Sequence, residues 1–468
     1  MATYDLAIIG SGPGGYVCAI RAGQNGLKTV VIEKDPRVGG TCTLRGCIPT
    51  KAVLHSADVF DEAKHGTAVG VKASGVELDM NGVRKFKEDV ASKSSKGIEF
   101  LFRKNKVERL HGHGRLLGPG KVSVTGADGK EQVVEARHVV IATGSAPRLI
   151  PGITLGPKVM TSDELLENVV VPRRLIVLGA GAVGVEFASM YQDLGVKTTL
   201  LEYLPQIVPL EDREVSQALE RSLTRRGMTV MTNARFDTKT LKKSKDGVSL
   251  MVGPEGKEPA EVKAEMLLVA TGRAPNTENV GLESTRAEVD RGFVKVDLKT
   301  MRTREPHLYA IGDIVGGLML AHTAGHEGLL AAHTIAGDKD THPMDYVAHP
   351  RATYCRPEIA SVGLTEQQCK DQGIPYKVGK VPFQAIAKAI IGGEYEGFAK
   401  VIGNPETGDT LGVHIIGPHA TDLISEATLA FSLDATPWEI GGATHAHPTL
   451  AEIIGEAAMA VDGRSINF

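Results

Sequence analysis

The chain has 468 residues, enough by length for about three domains, each able to bury its own core. With 42% hydrophobic residues, 23% charged residues and a formal net charge of -3, its make-up excludes intrinsic disorder and gives no electrostatic reason to expect nucleic acid as a partner. The longest apolar runs, such as 6–10 and 139–142, are strand-sized and far short of the roughly 20 residues that span a bilayer, so no membrane partner is expected either.

Met1 to Asp5 lead straight into a strand pattern with no basic stretch or apolar leader, which fits a bacterial cytoplasmic protein or a mature mitochondrial matrix protein. The strand, Tyr4 to Ile9, ends in Gly10-Ser11-Gly12-Pro13-Gly14-Gly15, a G-x-G-x-x-G pattern on Gly10, Gly12 and Gly15. A helical stretch through Ala19 and Ala22 follows, then a second strand, Thr29 to Ile32, closed by Glu33. In a dinucleotide fold the first glycine permits a tight turn and the second lets backbone approach a pyrophosphate. The third lets helix and strand pack closely. The helix start holds phosphate, and the acid accepts hydrogen bonds from an adenosine ribose. A single such pattern is weak, because glycine turns commonly follow strands.

Next comes Gly39-Gly40-Thr41-Cys42-Thr43-Leu44-Arg45-Gly46-Cys47-Ile48-Pro49-Thr50-Lys51. Of the five cysteines, only Cys42 and Cys47 lie close in sequence; the others are Cys18, Cys355 and Cys369. An odd count without C-x-x-C argues against a secreted disulfide scaffold and against a metal site. A four-residue gap lets a disulfide close at a helix start, whose partial positive charge favours thiolate. Arg45 is expected to add to that field, as is Lys51, one turn beyond Cys47. Two unrelated buried thiols are the plain alternative. A nucleotide site opening the same domain favours a redox couple.

The nucleotide design then recurs. Leu175 to Leu178 leads into Gly179-Ala180-Gly181-Ala182-Val183-Gly184, then a helix, then Thr198 to Glu202. Glu33 and Glu202 each stand 23 residues after the first glycine of their copy. Each copy is followed by an echo: Ala142-Thr143-Gly144-Ser145-Ala146-Pro147, and Ala270-Thr271-Gly272-Arg273-Ala274-Pro275. Two dinucleotides are therefore expected, in an α/β chain with two Rossmann-like domains. Glu202 repels a 2′-phosphate, and Tyr203 to Gln206 offer no cation to neutralise one, so the second site reads as NAD. FAD is left for the first.

Near the C-terminus stands His445-Ala446-His447-Pro448-Thr449-Leu450-Ala451-Glu452. A histidine can take and return the proton of an incoming thiol, and a carboxylate on its far nitrogen fixes the tautomer. From spacing alone, Thr449-x-x-Glu452 reads rather as a capping box, and His445 is a rival base.

Taken together these segments, with Tyr309-Ala310-Ile311-Gly312-Asp313, resemble the pyridine nucleotide–disulfide oxidoreductases over nearly the whole chain, and within them the members that oxidise dihydrolipoamide. The resemblance implies a C-terminal α+β dimerisation domain and a homodimer. It implies domains at 1–147 (FAD), 148–275 (NAD), 276–346 (a return to the FAD domain and a central segment) and 347–468 (interface). Cys42 would meet the substrate and Cys47 the flavin. Lys51 would lie by the flavin and pair with Glu186, which borders the nicotinamide. Asp313, Met319, Ala321 and His322 would join Gly10, Gly12, Gly14, Gly15, Glu33, Thr41 and Gly114 around FAD, with the backbone of Gly112 to Gly114 at the adenine. Gly179, Gly181, Gly184, Glu202 and Gly272 would hold NAD. His447 would be the base, with Glu452 capping and orienting at once, and the pair would act on the other subunit.

The implied activity oxidises protein-bound dihydrolipoamide, with two electrons passing through the Cys42–Cys47 disulfide and FAD to NAD+. The carrier would be a 2-oxo acid dehydrogenase acyltransferase or a glycine cleavage protein. Departures from the family pattern are Leu44-Arg45 between the cysteines, and Thr50 and Ala451 where serine is usual. Relatives that reduce glutathione or trypanothione prefer NADPH and tend to place tyrosine at the position of Ala182. Mercuric reductase needs a C-terminal cysteine pair, which Ile466-Asn467-Phe468 lacks. A docking subunit that binds nucleotides only to hold its fold is the other alternative, and it gives no reason to keep both cysteines.

Overall fold

The computed structural model describes residues 3–254, 256–338 and 341–468, so Met1 and Ala2 lie outside it. Two compact units divide the chain: 1–53 with 79–148 and 273–346, and 54–78 with 149–272 and 347–468.

The first unit is built on a seven-stranded sheet. The strand Thr3–Ile9 lies at its centre, parallel to Thr29–Glu33 on one side and to Glu131–Ile141 on the other. Glu108–His111 extends one edge, and Leu308–Ala310 pairs with Glu131–Ile141 in parallel. The stretches 6–9, 30–32 and 139–141 at the centre of the sheet are buried and wholly aliphatic, the composition a helix-covered parallel sheet requires. In register, Ile9 faces both Ile32 and Ile141, so three strands end level. The chain turns to opposite sides after the central strand, which makes its carboxyl end a switch point where ligands bind. The helices Pro13–Gln24 and Ala321–Ala336 pack there through glycine: a Cβ on Gly328 would come within 2.5 Å of the Gly14 carbonyl oxygen.

The second unit holds a five-stranded parallel sheet ordered Thr229–Met231, Lys197–Leu201, Arg174–Leu178, Met266–Val269, Val159–Met160. It also holds a five-stranded antiparallel sheet ordered Arg351–Thr353, Glu358–Gly363, Thr410–Gly417, Phe398–Gly403, Lys377–Pro382. The helices Ala420–Ser432 and Glu452–Ala460 share a core with this antiparallel sheet, around Val362, Ile415, Ile424 and Ile454. No helix among the described residues is long and apolar enough to cross a membrane.

The two A-T-G echoes have a physical counterpart. Ser145–Pro147 and Arg273–Pro275 pair antiparallel, with Pro147 opposite Arg273 and Ser145 opposite Pro275.

Candidate functional site

At the first glycine loop, Gly10 has a φ of +104° and Gly15 packs so closely that a Cβ there would overlap the Gly10 carbonyl oxygen. A Cβ on Gly12 meets nothing within 4 Å. The loop is thus closed behind and open in front, the cradle a pyrophosphate needs. Glu33 is buried; its Oε2 accepts from the Ser11 N–H at 2.8 Å and the Ser11 hydroxyl at 2.5 Å, and its Oε1 accepts from the Asp35 N–H at 2.8 Å. With about two acceptor sites per oxygen, Oε1 keeps one for a ribose. The Gly112 N–H donates to the Glu33 carbonyl at 2.9 Å, and buried Gly114 lies against Ile9 and Ile32, which lays this segment along the same strand ends.

The second loop repeats the design. Gly179 has a φ of +96°, a Cβ on Gly184 would overlap the Gly179 carbonyl oxygen, and Gly181 faces open space. Buried Glu202 accepts from Ala180 N–H at 2.7 Å and from Leu204 N–H at 2.8 Å. Gly272, with a φ of +108°, leaves the space beside it open. One feature here escaped the sequence. Arg235, on the strand Ala234–Phe236, stacks its guanidinium 3.6 Å from the ring centroid of Tyr203 and donates to the Tyr203 carbonyl at 2.7 Å. A cation therefore does stand beside the residue after Glu202, supplied from 32 positions on.

The cysteine segment is docked on the first loop. Gly39 donates to the carbonyl and hydroxyl of Ser11, both at 3.1 Å, and a Cβ on Gly40 would lie 2.6 Å from the Gly12 Cα. Only a glycine pair fits so close. Thr41 and Cys42 ride on the short helix Gly40–Leu44, and Cys47 begins the helix Cys47–His65. The two sulfurs are hydrogen-bonded to each other. The Cys42 thiol is pushed far above its ordinary range, first by its hydrogen bond with Cys47 and then by burial, so Cys42 keeps its proton in the reduced pair. Lys51 opposes the rise and Asp313 adds to it. The helix start expected at the pair lies at Cys47, but the expected field is corrected at Arg45, which is spent on an ion pair with Asp35. Burial raises the Tyr16 phenol, and nearby Cys42 raises it further.

Asp313 lies on the loop Gly312–Val315; it accepts from Ser145, whose Oγ also accepts from Arg273 Nε at 2.6 Å. Burial raises the Asp313 carboxyl. Met319 has a left-handed backbone (φ 52°) just before the helix that starts at Ala321 and His322. Sequence reasoning missed Glu327, a buried acid in that apolar helix. It accepts from the Gly312 N–H at 2.5 Å and from the Tyr346 hydroxyl at 2.7 Å, tying down the Asp313 loop. Burial raises its carboxyl from 4.5 to about 7. A raised acid contributes stability that is complete below pH 4.5 and lost as pH rises through about 7. Glu327→Gln is expected to flatten that decline, read as the Tm difference between mildly acidic and mildly alkaline buffer. An equal pH slope in both proteins would refute it.

In the second unit, Glu186 is buried on the helix Ala182–Asp193 and accepts from the Tyr354 N–H at 2.9 Å. His447 is exposed, and its Nδ1 lies 2.9 Å from Glu452 Oε1 while Glu452 Oε2 accepts from the Thr449 N–H at 2.9 Å. The hydrogen bond to His447 leads in holding the Glu452 carboxyl below its usual range. The capping box is only half made, because the Thr449 hydroxyl turns back to the Ala446 carbonyl at 2.7 Å. Glu452 thus holds both the His447 imidazole and the Thr449 N–H, while the helix itself starts after Ala451 without a side-chain cap. His445 is half-buried against Glu426 at 2.7 Å, a packed position unlike that of the exposed His447.

Two glycine cradles with paired acids, and a dithiol laid on one of them, define a two-nucleotide redox protein with a cysteine couple. The pyridine nucleotide-disulphide oxidoreductase family model matches residues 4–328 and its dimerisation domain matches 349–458. The chain is similar to a protein named dihydrolipoyl dehydrogenase from Bacillus subtilis, 46% identical with 100% of each chain covered. A protein of the same name from Chlorobaculum tepidum is 43% identical, with 98% of this chain and 97% of that one covered. The crystal structure of LpdA from Mycobacterium tuberculosis superposes with a TM-score of 0.90 at 27% identity, covering 98% and 99% of the two chains. This chain belongs to the pyridine nucleotide-disulphide oxidoreductase family. It is an FAD- and NAD-dependent flavoprotein with two nucleotide-binding folds and a C-terminal dimerisation domain.

The cradle can be tested directly. Gly40→Ala is expected to purify with most of its FAD missing, measured as flavin absorbance per mole of protein, because the added methyl meets loop backbone that cannot yield.

Proposed function

We propose that the chain oxidises protein-bound dihydrolipoamide to lipoamide with NAD+, serving a lipoyl carrier of a 2-oxo acid dehydrogenase complex or of glycine cleavage, as a cytoplasmic homodimer. The observation that carries this reading is the hydrogen-bonded Cys42–Cys47 pair docked on the first glycine loop. The full-length likeness to dihydrolipoyl dehydrogenases selects the substrate.

FAD, when bound, carries two electrons between the dithiol and NAD+. The chain's own groups do the rest. Glu452 holds His447 by Nδ1, leaving Nε2 to take the proton of a substrate thiol. The resulting thiolate attacks Cys42 in the oxidised pair, the Cys42–Cys47 bond breaks, and Cys47 leaves as thiolate at the positive end of its 19-residue helix. The second substrate thiol then gives up its proton and attacks the mixed disulfide. Oxidised lipoamide departs, and the cysteines keep the electron pair. In the dimer, His447 and Glu452 would serve the cysteine pair of the other subunit. Lys51 and Glu186 would pair beside the flavin and nicotinamide, Asp313 would bind the ribityl or phosphate part of FAD, and Met319, Ala321 and His322 would lie close to it. Domain limits near 147, 275 and 346 belong to the same proposal.

The test is anaerobic reduction with dihydrolipoamide, followed by NAD+ or NADP+. Bleaching of the flavin and reoxidation by NAD+ support the reading. A flavin that stays oxidised excludes the substrate.

A further inference from the structure

We propose that Arg235, held over Tyr203, is a latent 2′-phosphate site, so that preference for NAD+ over NADP+ rests on the Glu202 carboxylate alone. The inference deepens the NAD reading of the second loop and depends on it.

Three backbone hydrogen bonds zip the segment after Glu202 to the segment carrying Arg235. Glu202 N–H donates to the Met231 carbonyl at 2.8 Å, Ala234 N–H to the Glu202 carbonyl at 2.8 Å, and Asn233 N–H to the Leu204 carbonyl at 2.9 Å. The turn 202–204 is therefore fixed, with a carboxylate bonded to its Leu204 N–H and a guanidinium bonded to its Tyr203 carbonyl. In dinucleotide folds of this kind an acid at that strand end takes the free 2′-hydroxyl, and a nearby arginine accommodates a 2′-phosphate. Here both contact one turn, the acid as part of it and the arginine from the neighbouring strand. The stack on exposed Tyr203 also limits the side chain's rotamers, so little freedom is lost when an anion binds. While Glu202 is ionised, its charge opposes the phosphate that Arg235 attracts, and the native protein favours the unphosphorylated ribose.

The experiment is calorimetric titration of the FAD-loaded protein with 5′-ADP and with adenosine 2′,5′-bisphosphate, which reports binding without turnover. The native protein is expected to prefer 5′-ADP by at least about tenfold, the scale of one misplaced charge. Glu202→Ala is expected to tighten the bisphosphate by about ten- to a hundredfold, with a steep loss in high salt. Adding Arg235→Gln should abolish that gain, and Arg235→Lys should keep part of it. An unaltered flavin spectrum certifies that the variants are folded. A gain that survives Arg235→Gln overturns the proposal. A native protein that binds neither probe overturns the NAD reading of the loop instead, and the proposal with it.

Discussion

Cys47→Ser is expected to lower dihydrolipoamide oxidation by NAD+ at least about a thousandfold, the scale of losing a reacting group, while the protein still purifies yellow. A serine cannot form the bond to Cys42 that the substrate thiolate must break, so no exchange step exists. The hydroxyl is close in size to the thiol, and Cys47 sits exposed at a helix start, so packing and the glycine cradle are undisturbed. Cys42→Ser should lose the same activity, and for the same reason. The measurement is the steady-state rate with the flavin-to-protein ratio taken alongside. Activity within tenfold of native in either variant would remove the cysteine pair from the reaction.

The second large effect is expected at His447. His447→Ala should reduce kcat/KM for dihydrolipoamide by about a hundred- to ten-thousandfold, the range of a positioned general base. Glu452→Gln should cost less, about tenfold or more, because it leaves the imidazole in place and removes its counter-charge. Glu452 also holds the Thr449 N–H, so a thermal melt must accompany the kinetics. A Glu452→Gln protein that melts earlier yet keeps native kcat/KM would mark the residue as a structural tie only.

Much of this was legible before any coordinates. The glycine motifs with acids at one spacing specify strand, turn, helix and strand, because each position has a steric or electrostatic task that few residues perform. Gly39-Gly40 was legible as a motif but not as a dock. That Gly40 rests on the Gly12 Cα depends on how two distant turns stack. Local charge was read less well. Arg45 stands two positions before Cys47 yet turns to Asp35, since a side chain takes the partner its backbone presents. Arg235 and Glu327 were missed for the complementary reason. Each reaches its partner across the fold, Arg235 at Tyr203 and Glu327 at Gly312, and no spacing rule connects such pairs. Glu327 left one trace, an acid in the apolar helix Ala321–Ala336.

The ribbon formed by Ser145–Pro147 and Arg273–Pro275 bears on how such a chain could be assembled. Pro147 and Arg273 share a rung, so the polypeptide exits and re-enters the first unit one strand-width apart. To that unit, the stretch carrying the second nucleotide fold is a single excursion, a cassette plugged in at one socket. Insertions at such points cost little in chain entropy whatever their length.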